Sequence, residues 1–124
     1  MYSHMFVGSN DLPRAKTFYD AVFGTLGVAP AELNGDRMFY MSPGGNFGVT
    51  KPINGKPATV ANGGTVAFKC SSNEQVKAWH DAGVANGGTS CEDPPGVREF
   101  GPMKLYLAYL RDPDGNKLCA VNYL

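Results

Sequence analysis

Only a handful of side chains in this 124-residue chain are of types that carry chemistry, and their spacing limits what that chemistry can be. There are two histidines, His4 and His80, and three cysteines, Cys70, Cys91 and Cys119. An imidazole can ligate a metal or act as a base; a thiolate can ligate or attack. An odd number of cysteines with no CxxC pair argues against a disulfide framework and against a thiolate zinc cage. Each cysteine lies near or inside an apolar run, where a reduced thiol packs as a small hydrophobe. His80, between Trp79 and Asp81 in a helical stretch, reads as a helix-surface histidine. His4 alternates with Tyr2 and Phe6 on one strand face, and is either an ordinary hydrogen-bonded histidine or a ligand or catalytic base. Cys119 would be a nucleophile only if His4 lay across a cleft from it and lowered its pKa.

Three further candidates lie toward the C-terminus. Arg98 could clamp a carboxylate or phosphate of a substrate, the alternative being a solvated loop arginine. Of the four glutamates, Glu32, Glu74, Glu92 and Glu99, only Glu99 sits in a stretch that could swing into a cleft as a catalytic carboxylate. Tyr106 and Tyr109 either line a substrate cleft or pack as strand core.

Eleven basic residues balance eleven acidic ones, without a basic stripe, so nucleic acid is not the expected partner. No apolar run approaches the roughly 20 residues of a membrane span, and the first residues lack the pattern of a signal peptide. The expectation is a cytoplasmic protein with a small-molecule partner. The length suits one domain or two fused half-domains.

These residues must be positioned by short elements. Tyr2–Val7 reads as a strand. Asp11 is a plausible N-cap with Pro13 in the first turn, and Leu12, Ala15, Phe18, Tyr19, Val22 and Phe23 form a helical stripe. A weak strand around Val28–Leu33, then strands Arg37–Met41 and Phe47–Lys51, complete the first half. After Pro52–Gly64 come a strand at Thr65–Cys70 and a helix opened by the capping box Ser72–Gln75. A strand at Thr89–Glu92, a loop at Asp93–Met103, and strands Leu105–Arg111 and Lys117–Asn122 follow. The halves superpose by offset: His4 to Thr65 and Asp11 to Ser72 are each 61 residues, and Pro43-Gly44-Gly45-Asn46 aligns with Pro113-Asp114-Gly115-Asn116 at 70. The expected fold is therefore α+β, with two tandem βαβββ units, 1–51 and 64–122, joined by a linker at 52–63. The units would form a cupped mixed sheet around a cleft.

With Asn10-Asp11-Leu12, Phe18-Tyr19, Phe23-Gly24 and the run Arg111-Asp112-Pro113-Asp114-Gly115-Asn116-Lys117-Leu118 on this duplicated frame, the chain resembles the vicinal oxygen chelate superfamily. This is the glyoxalase, bleomycin-resistance and extradiol-dioxygenase group. The resemblance implies one divalent metal (zinc, nickel or iron) held by first-strand and last-strand residues of each unit and acting as a Lewis acid. Carried over by position, His4 matches the first-strand histidine. Its counterpart Thr65 is a poor ligand and a candidate substrate contact instead. The last-strand positions are Cys119 and Val49, or Gly48 if the alignment slips by one. The usual ligand set is thus incomplete, with His4 and Cys119 the candidate metal pair.

Two functions follow from the resemblance. One is glyoxalase-like lyase or isomerase chemistry, or dioxygenase-like chemistry, on a small oxygen-rich substrate or thiol adduct at a degenerate metal site. The other is metal-free binding or drug sequestration of the bleomycin-resistance type. That branch usually holds a cationic drug with acidic residues, a bias the zero net charge here does not give. The resemblance also implies a homodimer.

Overall fold

The computed structural model describes residues 1–124. Its elements run β1 (His4–Gly8), α1 (Leu12–Gly24), β2 (Arg37–Tyr40), β3 (Asn46–Thr50), β4 (Val66–Lys69), α2 (Asn73–Ala85), β5 (Thr89–Phe100), β6 (Met103–Arg111) and β7 (Lys117–Tyr123). They make two mixed sheets, ordered β1-β3-β2 and β4-β7-β6-β5, and no strand of one sheet hydrogen-bonds a strand of the other. In each, the first strand of the unit runs parallel to the last, β1 beside β3 and β4 beside β7. No helix is long and apolar enough to cross a membrane.

The helices begin where their caps dictate. The Asp11 carboxylate accepts from the Arg14 N–H, and the Ser72 hydroxyl from the Gln75 N–H, each pairing a donor the first turn leaves free. The Gln75 amide oxygen takes the Ser71 N–H, one residue earlier than a simple capping box requires.

Two expectations are corrected. No strand forms over Val28–Leu33, so the first unit is βαββ and its sheet has three strands. Pro30 brings no N–H to a ladder, and the Ala31 N–H goes to the Asp20 carboxylate, 3.2 Å away, instead of to a neighbouring strand. The expected loop at Asp93–Met103 is mostly strand: β5 continues to Phe100 and pairs with β6. The register shifts between Cys91 and Gly96, and Pro94 and Pro95 fall in that irregularity. An edge strand tolerates prolines at such a bulge, because no second neighbour needs their missing donors.

One buried cluster joins both helices to one face of each sheet. Phe18, Tyr19, Val22 and Trp79 have no exposed surface, and Phe68 stands between the units with ring centroids 5.0 Å from Phe23 and 5.4 Å from Phe47. Burial of each such aromatic side chain contributes roughly 2–3 kcal/mol. The opposite faces carry the alternate residues: His4, Phe6 and Phe39 on the first sheet, and Leu107, Cys119 and Val121 on the second.

Candidate ligand site

The two units meet along two seams related by the internal repeat, and the seams differ. At the first, the β6–β7 turn locks onto the start of unit one. Asp112 is buried and accepts four hydrogen bonds: from the N–H groups of Asp114 and Asn116, from the Asn116 side-chain amide, and from Tyr19 Oη at 2.5 Å. Asp114 accepts from the Asn10 N–H and the Arg14 guanidinium, both at 2.9 Å. Asn116 Nδ2 also donates to the Gly8 carbonyl at 2.9 Å, tying this turn to the end of β1. The Asp-Pro-Asp-Gly-Asn run is therefore a clasp between units.

The second seam has the turn Ser42-Pro43-Gly44-Gly45-Asn46 where the first has Asp112–Asn116. Serine and glycine replace the two aspartates, so nothing here can receive the donors that Asp112 and Asp114 collect. By the same offsets, Asn46 corresponds to Asn116 and Lys69 to Gly8, yet Asn46 Nδ2 makes no hydrogen bond to Lys69. Its Oδ1 instead accepts from the Ser42 N–H within the turn. Asn46 and Lys69 both line a cavity of about 770 Å³. Its apolar walls include Phe23, Phe47 and Phe68, and the β1 side adds His4. The cavity exists where the internal symmetry of the clasp is broken.

The sequence-based candidates are dispersed. His4 lies on β1, its ring edge-on to Phe6 at 5.7 Å and its Nδ1 2.9 Å from the Ser3 hydroxyl. Of the six site candidates it alone lines the cavity. Thr65 directly precedes β4 and is exposed. Tyr106 packs against the helix-side core, whereas Tyr109 lies with Cys119 on the opposite face of the second sheet. Glu99 is exposed near the β5–β6 turn and pairs with Lys104 at 3.4 Å. Arg98 donates to the carbonyls of Asp93 and Pro94, both at 2.9 Å, and so closes the β5 irregularity. His80 is not a surface residue: its side chain is 12% exposed, with Nε2 2.8 Å from the Ser90 hydroxyl.

A second group gathers around Cys119. Glu92 pairs with the Lys117 ammonium, which stands 4.8 Å from the centre of the Tyr109 ring. Glu92 is the one non-glycine residue with positive φ, at 58°, a conformation forced where β5 loses register. Burial, and then the Glu92 carboxylate, push the Cys119 thiol up to about 11. Burial also raises Tyr109, with Cys119 and Glu92 adding to the effect.

These surroundings decide how well the residues suit a metal. Zinc, nickel or iron sites of this kind require three or four N, O or S donors. No three His, Cys, Asp or Glu side chains converge anywhere in the chain. Cys119 sits between Leu107 and Val121, where its thiolate is disfavoured, and His4 belongs to the other sheet. The donor set does not fit the metal.

Paired parallel–antiparallel sheets, each backed by one helix and clasped by an Asp-Pro-Asp-Gly-Asn turn, define an α+β fold of duplicated units. The chain matches the model of the Glyoxalase/Bleomycin resistance protein/Dioxygenase superfamily over residues 2–120 and belongs to that family. It is 60% identical to a glyoxalase/bleomycin resistance protein from Albidiferax ferrireducens T118, over 97% of each chain, with a TM-score of 0.94. A glyoxalase/bleomycin resistance protein/dioxygenase family enzyme from Burkholderia phytofirmans PsJN shares the fold at 18% identity, over 98% of each chain, with a TM-score of 0.75. A lactoylglutathione lyase from Agrobacterium tumefaciens does so at 22% identity, over 97% of this chain and 91% of its own, with a TM-score of 0.67. No curated protein matches the chain.

Proposed function

We propose that the chain is a metal-free small-molecule-binding protein of the bleomycin-resistance type, which takes its ligand into the cavity between the units. The observation that carries this reading is the donor set at the four positions where the family's metal ligands fall: His4, Val49 or Gly48, Thr65 and Cys119. One is a usual ligand, one a thiol held protonated by burial, and two offer nothing to a metal. Metal-assisted lyase, isomerase or dioxygenase chemistry needs more than this. A cavity of about 770 Å³ with aromatic walls, by contrast, is of the size that buries a drug-sized molecule.

The test is a fluorescence titration with the uncharged probe N-phenyl-1-naphthylamine, on protein treated with a strong chelator. The reading predicts saturable binding that the chelator leaves unchanged. It also predicts loss of that binding in Ala29→Trp, which fills the cavity from an exposed loop position. Binding that requires added metal would favour the enzymatic reading.

The same reading includes a cytoplasmic homodimer. Phe6 and Phe39 on the first sheet, and the strands left at the edges of both sheets, are surfaces that a second copy would cover. Sedimentation at micromolar concentration should give twice the chain mass; a monomer alone would remove this part of the proposal.

A further inference from the structure

We infer that the ligand of this cavity is an anionic amphiphile: an aromatic or otherwise apolar body carrying a carboxylate, sulfonate or phosphate. The inference rests on the proposed binding role and goes beyond it by naming the ligand's charge.

The side chains that line the cavity carry no negative charge. No aspartate or glutamate lines it, so nothing there can neutralise a cationic ligand. Lys69 does line it, and no carboxylate approaches the Lys69 ammonium within 4 Å, since none of the ion pairs in the chain involves it. Asn46 is the second donor. Its counterpart Asn116 spends its amide N–H groups on Gly8 and Asp112, whereas the Asn46 side-chain amide has its oxygen occupied by Ser42 and its Nδ2 free of protein partners. The repeat thus identifies a donor that is satisfied in one seam and unspent in the other, in the lining of the same cavity as an ammonium without a carboxylate partner. An anionic group is what an unpaired ammonium and a free amide N–H each favour, and a charged partner strengthens a hydrogen bond. The apolar body would lie against Phe23, Phe47 and Phe68.

The experiment compares two probes with the same ring skeleton, the uncharged N-phenyl-1-naphthylamine and the anionic 1-anilinonaphthalene-8-sulfonate, together with the cationic dye proflavine. Wild type is set beside Lys69→Glu, Asn46→Ala and Ala29→Trp. The sulfonate probe should bind wild type about tenfold more tightly than the uncharged one. Lys69→Glu should erase that preference, and Asn46→Ala should reduce it. Equal affinity for the two naphthylamines, a preference that survives Lys69→Glu, or tighter binding of proflavine would overturn the assignment of charge while leaving a binding cavity. Binding of all probes unaffected by Ala29→Trp would show instead that the cavity is not the site, and both readings would fall together.

Discussion

Tyr19 Oη and Asp112 Oδ2 stand 2.5 Å apart in a buried hydrogen bond that joins the helix of the first unit to the β6–β7 turn of the second. Tyr19 belongs to the Phe-Tyr pair and Asp112 to the Asp-Pro-Asp-Gly-Asn run, the two motifs by which the sequence resembles its family. They touch each other, and their task is to hold the units together. Tyr19→Phe removes the hydroxyl and leaves Asp112 three donors in place of four. A loss of about 1.5–3 kcal/mol in urea unfolding is expected. Asp112→Ala strands all four donors and should cost more, roughly 3 kcal/mol or above. Equal stability of Tyr19→Phe and wild type would show that the clasp is dispensable.

Alkaline pH should unfold the protein through groups that burial keeps protonated. The Cys119 thiol is pushed up to about 11 by burial and Cys70 is raised as well, while Tyr19 and Tyr40 are raised well above 10, by burial first and then by Asp112 and Asp20 respectively. Each native pKa exceeds its unfolded value, so in the window between them the unfolded chain holds fewer protons and stability falls as pH rises. Stability from these groups is complete below about pH 8.5, declines as the thiols titrate, and falls faster above about pH 10 by roughly 1.4 kcal/mol per pH unit for each tyrosine. Denaturant midpoints measured from pH 7 to 11 check this. Tyr40→Phe should make the limb above pH 10 shallower.

Glu92 combines a backbone cost with a side-chain gain, and two substitutions separate them. Its φ of 58° is a conformation that costs a side-chain-bearing residue about 1–2 kcal/mol. Its pairing with Lys117 is half exposed and screened by solvent, and so stabilises only weakly. Glu92→Ala loses the pair and keeps the strain, whereas Glu92→Gly loses both. Thermal unfolding should therefore rank Glu92→Gly above Glu92→Ala by about 1 kcal/mol. The reverse order would mean that the irregularity in β5 relaxes without strain.

Gly83 of α2 lies close against both β6 and α1. A Cβ there would come within 2.3 Å of Leu110 Cδ1 and 3.2 Å of both Phe18 and Val22. Gly83→Ala should therefore destabilise by about 1–3 kcal/mol despite alanine's better helix propensity. A stabilised variant would contradict the close approach of α1 and α2.

The duplicated frame was legible because local signals agreed with it. Asp11 and Ser72 cap helices 61 residues apart, and the apolar stripe of α1 is the buried one. Val28–Leu33 misled because its composition suits a strand, while Pro30 and the reach of Asp20 to Ala31 decide otherwise. The loop assigned to Asp93–Met103 failed for the opposite reason: an edge strand absorbs two prolines that a central strand could not. Of the candidate residues, His4 is the one that lines the cavity, by its place on the first strand. Glu92 beside Cys119 was hidden by a change of register that no residue pattern announces. The open seam lies in the difference between Ser42-Pro43-Gly44-Gly45-Asn46 and Asp112-Pro113-Asp114-Gly115-Asn116, but residue types alone do not tell that Asn46 turns its amide oxygen onto Ser42.

The central claim, ligand binding without a metal, is tested most directly by elemental analysis of protein purified without added metal, wild type beside His4→Ala. The account predicts divalent metal far below one ion per chain in both, with probe binding intact. Near-stoichiometric zinc, nickel or iron in wild type that disappears in His4→Ala would contradict it, and would mean that His4 and Cys119 complete a ligand set that the single chain does not assemble.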